Sequence, residues 1–179
     1  DTTVCDNLNL IPLSYTATSG SPMQWATTGT GIFLPNNAPS ATHYSLSIND
    51  KTGGSVSLML GTSSTGPCGY TGAAMKVDIL KGPRADFAAS TYVLQNPGDQ
   101  VQFTNTSSSA ASYTWNFGDG STTTISDPQH IYPEVGYYTV SLQVKSLNGC
   151  TDVSDKVLTV ISDVQFATAF TPNPNGANG

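Results

Sequence analysis

Basic residues are scarce in this chain. Six Lys plus Arg stand against twelve Asp plus Glu in 179 residues, a net charge of −6. They form no cluster able to neutralise a phosphate backbone, so nucleic acid is not expected as a partner. No run of about 18 apolar residues occurs, so no segment has the length of a membrane-spanning helix. Histidine appears only as His43 and His130, in opposite halves of the chain, and a zinc site has no support from that spacing. Helical periodicity is nowhere sustained. The chain opens DTTVCDNL, without a basic and apolar leader. That opening, with the close at Gly179, reads as a piece of something larger. Charged residues make up only 10%. The Ser, Thr, Asn and Gly that replace them suit exposed β-sheet and turns.

The stretch from Tyr113 to Val144 is the most informative. Tyr113, Trp115 and Phe117 alternate with Thr114 and Asn116, the period of a strand with one buried face. Gly118, Asp119 and Gly120 break that strand, since Gly and Asp tolerate the positive φ of a tight turn. Tyr138, Val140, Leu142 and Val144 then alternate with Thr139, Ser141, Gln143 and Lys145, an antiparallel strand with one wet face. These residues resemble the PKD (polycystic-kidney-disease-type, immunoglobulin-like) domain. Its W-x-F-G-D-G block corresponds to Trp115, Phe117, Gly118, Asp119 and Gly120. Its P-x-H-x-Y block corresponds to Pro128, His130 and Tyr132, and its G-x-Y-x-V-x-L-x-V block to Gly136, Tyr138, Val140, Leu142 and Val144. The resemblance covers about residues 85–161. It implies a β-sandwich with a modular surface role and no reaction.

Residues 1–80 read as a first unit, with candidate strands at 8–16, 23–27, 31–34, 41–47, 55–60 and 74–80. Val56, Leu58 and Leu60 share one face, as do Met75, Val77 and Ile79. This half resembles a repeat of large surface adhesins in gliding Bacteroidota, through Trp25, Thr27, Gly29, Gly31, Phe33, Pro35, Asn36 and Asn37, then Ala41, Thr42 and Tyr44, then Gly54, Val56, Leu58 and Leu60, and finally Cys68. The Thr28-Gly29-Thr30-Gly31 run is not a nucleotide loop, because no Gly-Lys-Ser/Thr and no helix pattern come after it. Lys81-Gly82-Pro83-Arg84 marks a boundary too short for free tumbling. The second unit adds strands at 85–90, 100–106 and 153–161, with Val101 and Phe103 inward. Residues 162–179 read as a linker or the start of a C-terminal export domain. In that tail Phe170, Thr171, Pro172, Asn173, Gly176 and Asn178 resemble the sorting signal of type IX secretion, although both Asp positions of that signal are missing.

Cys5 precedes the first strand and Cys68 the last, edges that a sandwich can bring together. A Cys5–Cys68 disulfide is expected, closing a loop of roughly 60 residues worth about 4 kcal/mol on the chain-entropy model. It implies an oxidising, extracytoplasmic compartment; the alternative is two buried thiols. Cys150 is then the odd cysteine. Related modules pair an Asn-Gly-Cys here with a Cys just before Gly-Asp, and this chain has Asn96 and Pro97 ahead of Gly98-Asp99. A free thiol is the expected result, with pairing to an absent neighbouring module as the alternative. No triad supports Cys150 as a nucleophile.

His130 is expected to pack or hydrogen-bond within its motif. Calcium at Asp119, with Asp127 and Asn116 near in sequence, is an alternative without an Asp-rich loop behind it; Asp in a turn usually bonds its own backbone. No carboxylate pair stands at a spacing for glycoside hydrolysis. Trp25 and Trp115 could stack on sugars, but both lie in alternating strands, where a core Trp is the default. Asp1-Thr2-Thr3 resembles an acceptor for O-linked glycans.

The expected fold class is all-β, two tandem immunoglobulin-like β-sandwiches with a short extended C-terminal tail. No catalytic residue, cofactor or metal is expected. The expected role is a non-catalytic structural or adhesive segment of a large secreted cell-surface protein on the outer-membrane exterior, in particular a gliding-motility adhesin of the type IX secretion system. Its partners would be neighbouring domains of the same polypeptide and the secretion or outer-membrane anchoring proteins that read its C-terminal region, with surface polysaccharide as a further candidate. The alternative is an accessory carbohydrate- or protein-binding module of a secreted polysaccharide hydrolase or protease.

Overall fold

The computed structural model describes residues 1–16, 23–36, 40–63 and 70–162. Its architecture is two tandem immunoglobulin-like β-sandwiches. In the first, β1 (Thr2–Cys5), β7 (Tyr70–Leu80), β6 (Ser55–Ser63) and β3 (Gln24–Thr27) form one sheet in that order. The facing sheet runs β2 (Leu10–Pro12), β5 (His43–Ser45), β4 (Ile32–Leu34). Alternation along β6 and β7 sends Val56, Leu58, Val77 and Ile79 into a core shared with Trp25, Tyr44 and Ile11. The outer residues of the same strands are left to water, as the period of 2 requires.

A single turn of helix, α1 (Ile48–Gly53), links β5 to β6. Six residues are too few to display a helical period, which is why the pattern hides it. Its ends are nonetheless specified. Ser47 caps the first turn by accepting from the Asp50 amide at 3.0 Å, and Asp50 reciprocates by accepting from the Ser47 amide at 3.0 Å. Gly54, at φ +76°, closes the other end.

In the second sandwich the larger sheet runs β12 (Thr122–Thr123), β11 (Ser112–Asn116), β14 (Gly136–Lys145), β15 (Thr151–Val160), β9 (Val93–Leu94). Opposite lie β13 (Gln129–Ile131), β10 (Gln100–Asn105) and β8 (Phe87–Ala89). Between them Trp115, Phe117, Phe87, Phe103 and Tyr132 form an aromatic centre, closed by Val140, Leu142, Val144 and Leu158. Phe87 meets Trp115 edge-on at 5.0 Å between centroids, the arrangement ring quadrupoles favour.

The two sandwiches share one plan. A short early strand pairs parallel with the last strand in each: β1, the first, with β7, and β9, the second after the linker, with β15. Trp25 on β3 sits opposite Leu60 of β6, and Trp115 on β11 sits opposite Leu142 of β14. The Gly118-Asp119-Gly120 turn returns the chain to β12, so β11 is flanked by β12 on one side and β14 on the other.

Candidate functional site

Three places concentrate polar chemistry, and the first is the joint between the sandwiches. Because β1 runs parallel to β7, its last residue, Cys5, lies beside Leu80, where the linker departs. The register continues one step further, with the Asp6 amide donating to the Leu80 carbonyl at 2.8 Å. Cys150 arrives from the second sandwich on the tight turn between β14 and β15, where Gly149 supplies a φ of +86°. Cys5 and Cys150 form a disulfide with their Cα atoms 5.8 Å apart. The expected Cys5–Cys68 bond is therefore corrected, and so is the free thiol expected at Cys150. Parallel pairing of β1 carries Cys5 to the end of the first sandwich that faces the second. Cys68 lies outside the described residues.

Around the disulfide the side chains continue the clamp. The Asp6 carboxylate accepts a fork from Arg84, Nη2 to Oδ2 at 2.9 Å and Nη1 to Oδ1 at 3.2 Å, and the Gly82 amide donates to Oδ1 at 2.9 Å. Burial alone would raise the Asp6 pKa. The Arg84 and Gly82 hydrogen bonds and the Arg84 charge outweigh it and hold the carboxyl below its ordinary value. Asn7 Nδ2 donates to the Thr151 carbonyl at 2.7 Å, and the Ala85 amide donates to Asp152 Oδ2 at 2.8 Å. Arg84 also exchanges two backbone hydrogen bonds with Ser108, each 3.0 Å. The linker is thus a hydrogen-bonded segment, with Gly82 and Pro83 buried.

The second place is the Gly-Asp-Gly corner. Asn116 Oδ1 accepts from the Gly118 amide at 2.9 Å, and the Phe117 amide donates to the Ser121 carbonyl at 3.1 Å. Asp119 Oδ1 accepts from the Ser121 amide at 2.9 Å and from Ser121 Oγ at 2.5 Å, while Oδ2 meets His130 Nε2 at 2.7 Å. Burial raises the Asp119 pKa, but these partners prevail and set it at about 2. The His130 ring lies flat on Phe117, 4.1 Å between centroids and 3° between planes, with Tyr132 at its edge. Tyr132 Oη donates to the Phe117 carbonyl at 3.1 Å. Its burial, with the Asp119 charge nearby, pushes its pKa up.

Ser, His and Asp meet here, yet they form no relay. A catalytic base must bridge nucleophile and acid through its two different ring nitrogens. Here Ser121 Oγ and Asp119 both address Nε2 of His130, at 3.3 and 2.7 Å, and Ser121 also bonds Asp119 directly. The arrangement locks a turn. Pro128 is buried, its carbonyl accepting from the Phe103 amide at 2.9 Å, and Tyr138 Oη donates to the Glu134 carbonyl at 3.0 Å. A Cβ on Gly136 would meet nothing closer than the Tyr138 ring at 3.6 Å, so no steric demand explains glycine there. Asp119, Asn116 and Asp127 each accept from a different partner, Asp127 from the Asn105 amide at 2.8 Å. Among the described residues no group of three or more His, Cys, Asp or Glu could hold a metal ion.

One polar centre has little signature in the sequence. Asp50, 4% exposed, accepts from the Thr30 amide at 2.8 Å and from the Gly31 amide, Tyr44 Oη and the Ser47 amide, each at 3.0 Å. Burial raises its pKa, and the hydrogen bonds with Ser47, Thr30 and Tyr44 overcome that and hold it low. The Thr28-Gly29-Thr30-Gly31 run is therefore wrapped on an internal carboxylate. A Cβ on Gly31 would stand 2.2 Å from the Ser45 carbonyl oxygen, which accounts for glycine there. The capping-box spacing of Ser47 and Asp50 is the signal that could have found it. Both indoles are core side chains, Trp115 fully buried and Trp25 7% exposed, so neither offers a stacking platform.

Residues 81–161 match the family model for the PKD domain. The second sandwich matches the PKD domain family. It is similar to the PKD1 domain of the metalloprotease PrtV from Vibrio cholerae, at 32% identity over 44% of this chain and 96% of that one, with a TM-score of 0.39. A further likeness, at 28% identity and a TM-score of 0.42, is to a structure of carbohydrate-binding modules from the beta-sandwich superfamily, over 45% of this chain and 34% of that one. Among curated proteins the chain is 44% identical to Collagenase ColA of Bacillus cereus over 59 residues, which are 33% of this chain and 6% of the collagenase. The PKD domain thus carries the Trp115, Asp119 and His130 corner, and the disulfide joins its β14–β15 turn to the preceding sandwich.

Proposed function

We propose that this segment is a non-catalytic spacer in a secreted protein, holding neighbouring domains of the same polypeptide at a set separation and orientation. The modules are residues 1–80 and 85–161, with residues 162–179 as a linker or the start of a C-terminal export domain. The observation that carries the reading is the joint. A disulfide, a bidentate Asp6–Arg84 pair and a hydrogen-bonded linker together resist the relative motion that is the default between tandem domains. A disulfide also belongs to an oxidising compartment, outside the cytoplasm. The Ser/His/Asp corner supports the same reading, since its geometry suits a locked turn and not proton transfer.

The parent protein that best fits is a cell-surface adhesin of the gliding-motility type delivered by type IX secretion. Supporting this are the Trp25 to Cys68 repeat pattern and the Phe170-Thr171-Pro172-Asn173 tail. A second reading, an accessory module of a secreted protease, is favoured by the 44% identity to Collagenase ColA. One assay separates them. The purified chain is incubated with insoluble collagen, cellulose and chitin, and the bound fraction is measured after sedimentation. A spacer stays in the supernatant with all three. Saturable retention on collagen or on either glycan would overturn the spacer reading and establish a substrate-binding accessory module.

A further inference from the structure

We infer that the Cys5–Cys150 bond reroutes tension through the polypeptide, so that the chain between the two cysteines is held out of the load path. This rests on the reading of the segment as a spacer joined at both ends to other domains.

Force applied to the two ends of a chain travels along its covalent bonds. Cys5 and Cys150 are 145 positions apart, leaving 144 residues between them. Their disulfide is a covalent short cut across that span. Those residues include nearly every buried side chain of both cores, and they become a closed loop hanging from the load line. Only residues 1–5, the sulfur bridge and the chain from Cys150 onward remain in line.

Two strands lie in line. Cys5 is the last residue of β1, so tension from Asp1 runs along β1 and passes into the sulfur bridge. Cys150 immediately precedes β15, so the same tension runs on along β15 from Thr151 to Val160. Each strand is pulled equally at its two ends, and its partners β7, β14 and β9 lie in the unloaded loop. The ladders to those partners therefore carry no net pull along the strand axis. The Asp6–Arg84 fork and the Asn7–Thr151 bond sit immediately off the line, where the loop leaves and rejoins it. They hold the mouth of the loop closed without bearing the pull.

The test is single-molecule stretching of the full chain through handles at its two termini. Cys68→Ser removes the third cysteine, so the Cys5–Cys150 bond has no thiol to exchange with. The oxidised chain should release only the short in-line segments. Adding reductant should lengthen the fully extended trace by about 50 nm, from 144 residues at ~3.5 Å each. Cys5→Ser and Cys150→Ser should each give the long trace without reductant. If either variant fails to fold, the oxidised and reduced forms of the parent chain still supply the comparison. An oxidised chain that releases the full length, or a trace that reductant leaves unchanged, would overturn the shunt. That failure is separate from failure of the spacer reading, which the sedimentation assay decides.

Discussion

The Gly-Asp-Gly turn offers a sharp test, because its two glycines look equivalent and are not. Gly118 has φ +84° and Gly120 φ +94°, so an alanine at either must adopt the left-handed region, at roughly 1–2 kcal/mol. A Cβ on Gly120 meets nothing within 4 Å, whereas a Cβ on Gly118 would stand 2.7 Å from the Thr139 carbonyl oxygen and 2.9 Å from its amide nitrogen. Those atoms are the backbone of β14, held between β11 and β15, and cannot yield without disturbing a ladder. Forcing extra volume into a packed site adds roughly 1–3 kcal/mol. Gly120→Ala should therefore cost about 1–2 kcal/mol and Gly118→Ala about 2–5 kcal/mol. The measurement is amide exchange in β14 and β15 across a urea series with the disulfide intact, which isolates the second sandwich from the first. Equal costs within about 0.5 kcal/mol would refute the claim that backbone approach, and not φ alone, demands Gly118.

Three further perturbations address the other polar centres. Asp119 has a folded pKa of about 2 against an ordinary 3.8, so its contribution, at most about 2 kcal/mol, is complete above pH 4 and is lost as pH falls toward 2. Acid titration of the second sandwich should show that loss, and Asp119→Asn should abolish it; an unchanged acid limb would contradict the assignment. Asp50→Ala removes the acceptor of four donors, two of them at Thr30 and Gly31, and should destabilise the first sandwich by about 3–5 kcal/mol. Exchange in β6 and β7 should rise while β14 and β15 are unaffected, and equal loss in both sandwiches would refute separate cores. Asp6→Ala deprives the Gly82 amide of its acceptor, and that amide should exchange at least tenfold faster with both cores unchanged. No change at Gly82 would show that the linker is not held through Asp6.

Much of the second sandwich is legible in the sequence because its strands obey a strict period of 2. Trp115, Phe117, Val140, Leu142 and Val144 alternate with polar residues and are all buried. The expected inward placement of Val101 and Phe103 holds for the same reason. Short elements are not legible. β1 spans only Thr2–Cys5 and β9 only two residues, and each is defined by a parallel partner far along the chain. The disulfide pairing escapes the sequence because it depends on which end of β7 receives β1, a tertiary fact that cysteine spacing does not carry. Asp50 is only partly legible: its Ser47 partner stands at capping-box spacing, but the Thr30 and Gly31 amides that make it an internal centre lie some twenty positions away.

Parallel pairing of the first and last strands of the first sandwich also suits a serial arrangement. When β1 and β7 run the same way, the chain begins at one end of the sheet and leaves from the other. An antiparallel arrangement would bring both termini to one end and fold the next module back alongside. The same geometry delivers Cys5 to the departing end of the first sandwich. There the turn of the adjoining module is the surface that presents itself, and Gly149 lets that turn tighten enough to bring Cys150 forward. A clamp at this place needs no special interface, because the strand plan already brings its two halves together. On the proposed spacer reading, the joint, and not either core, decides the mechanical character of the segment.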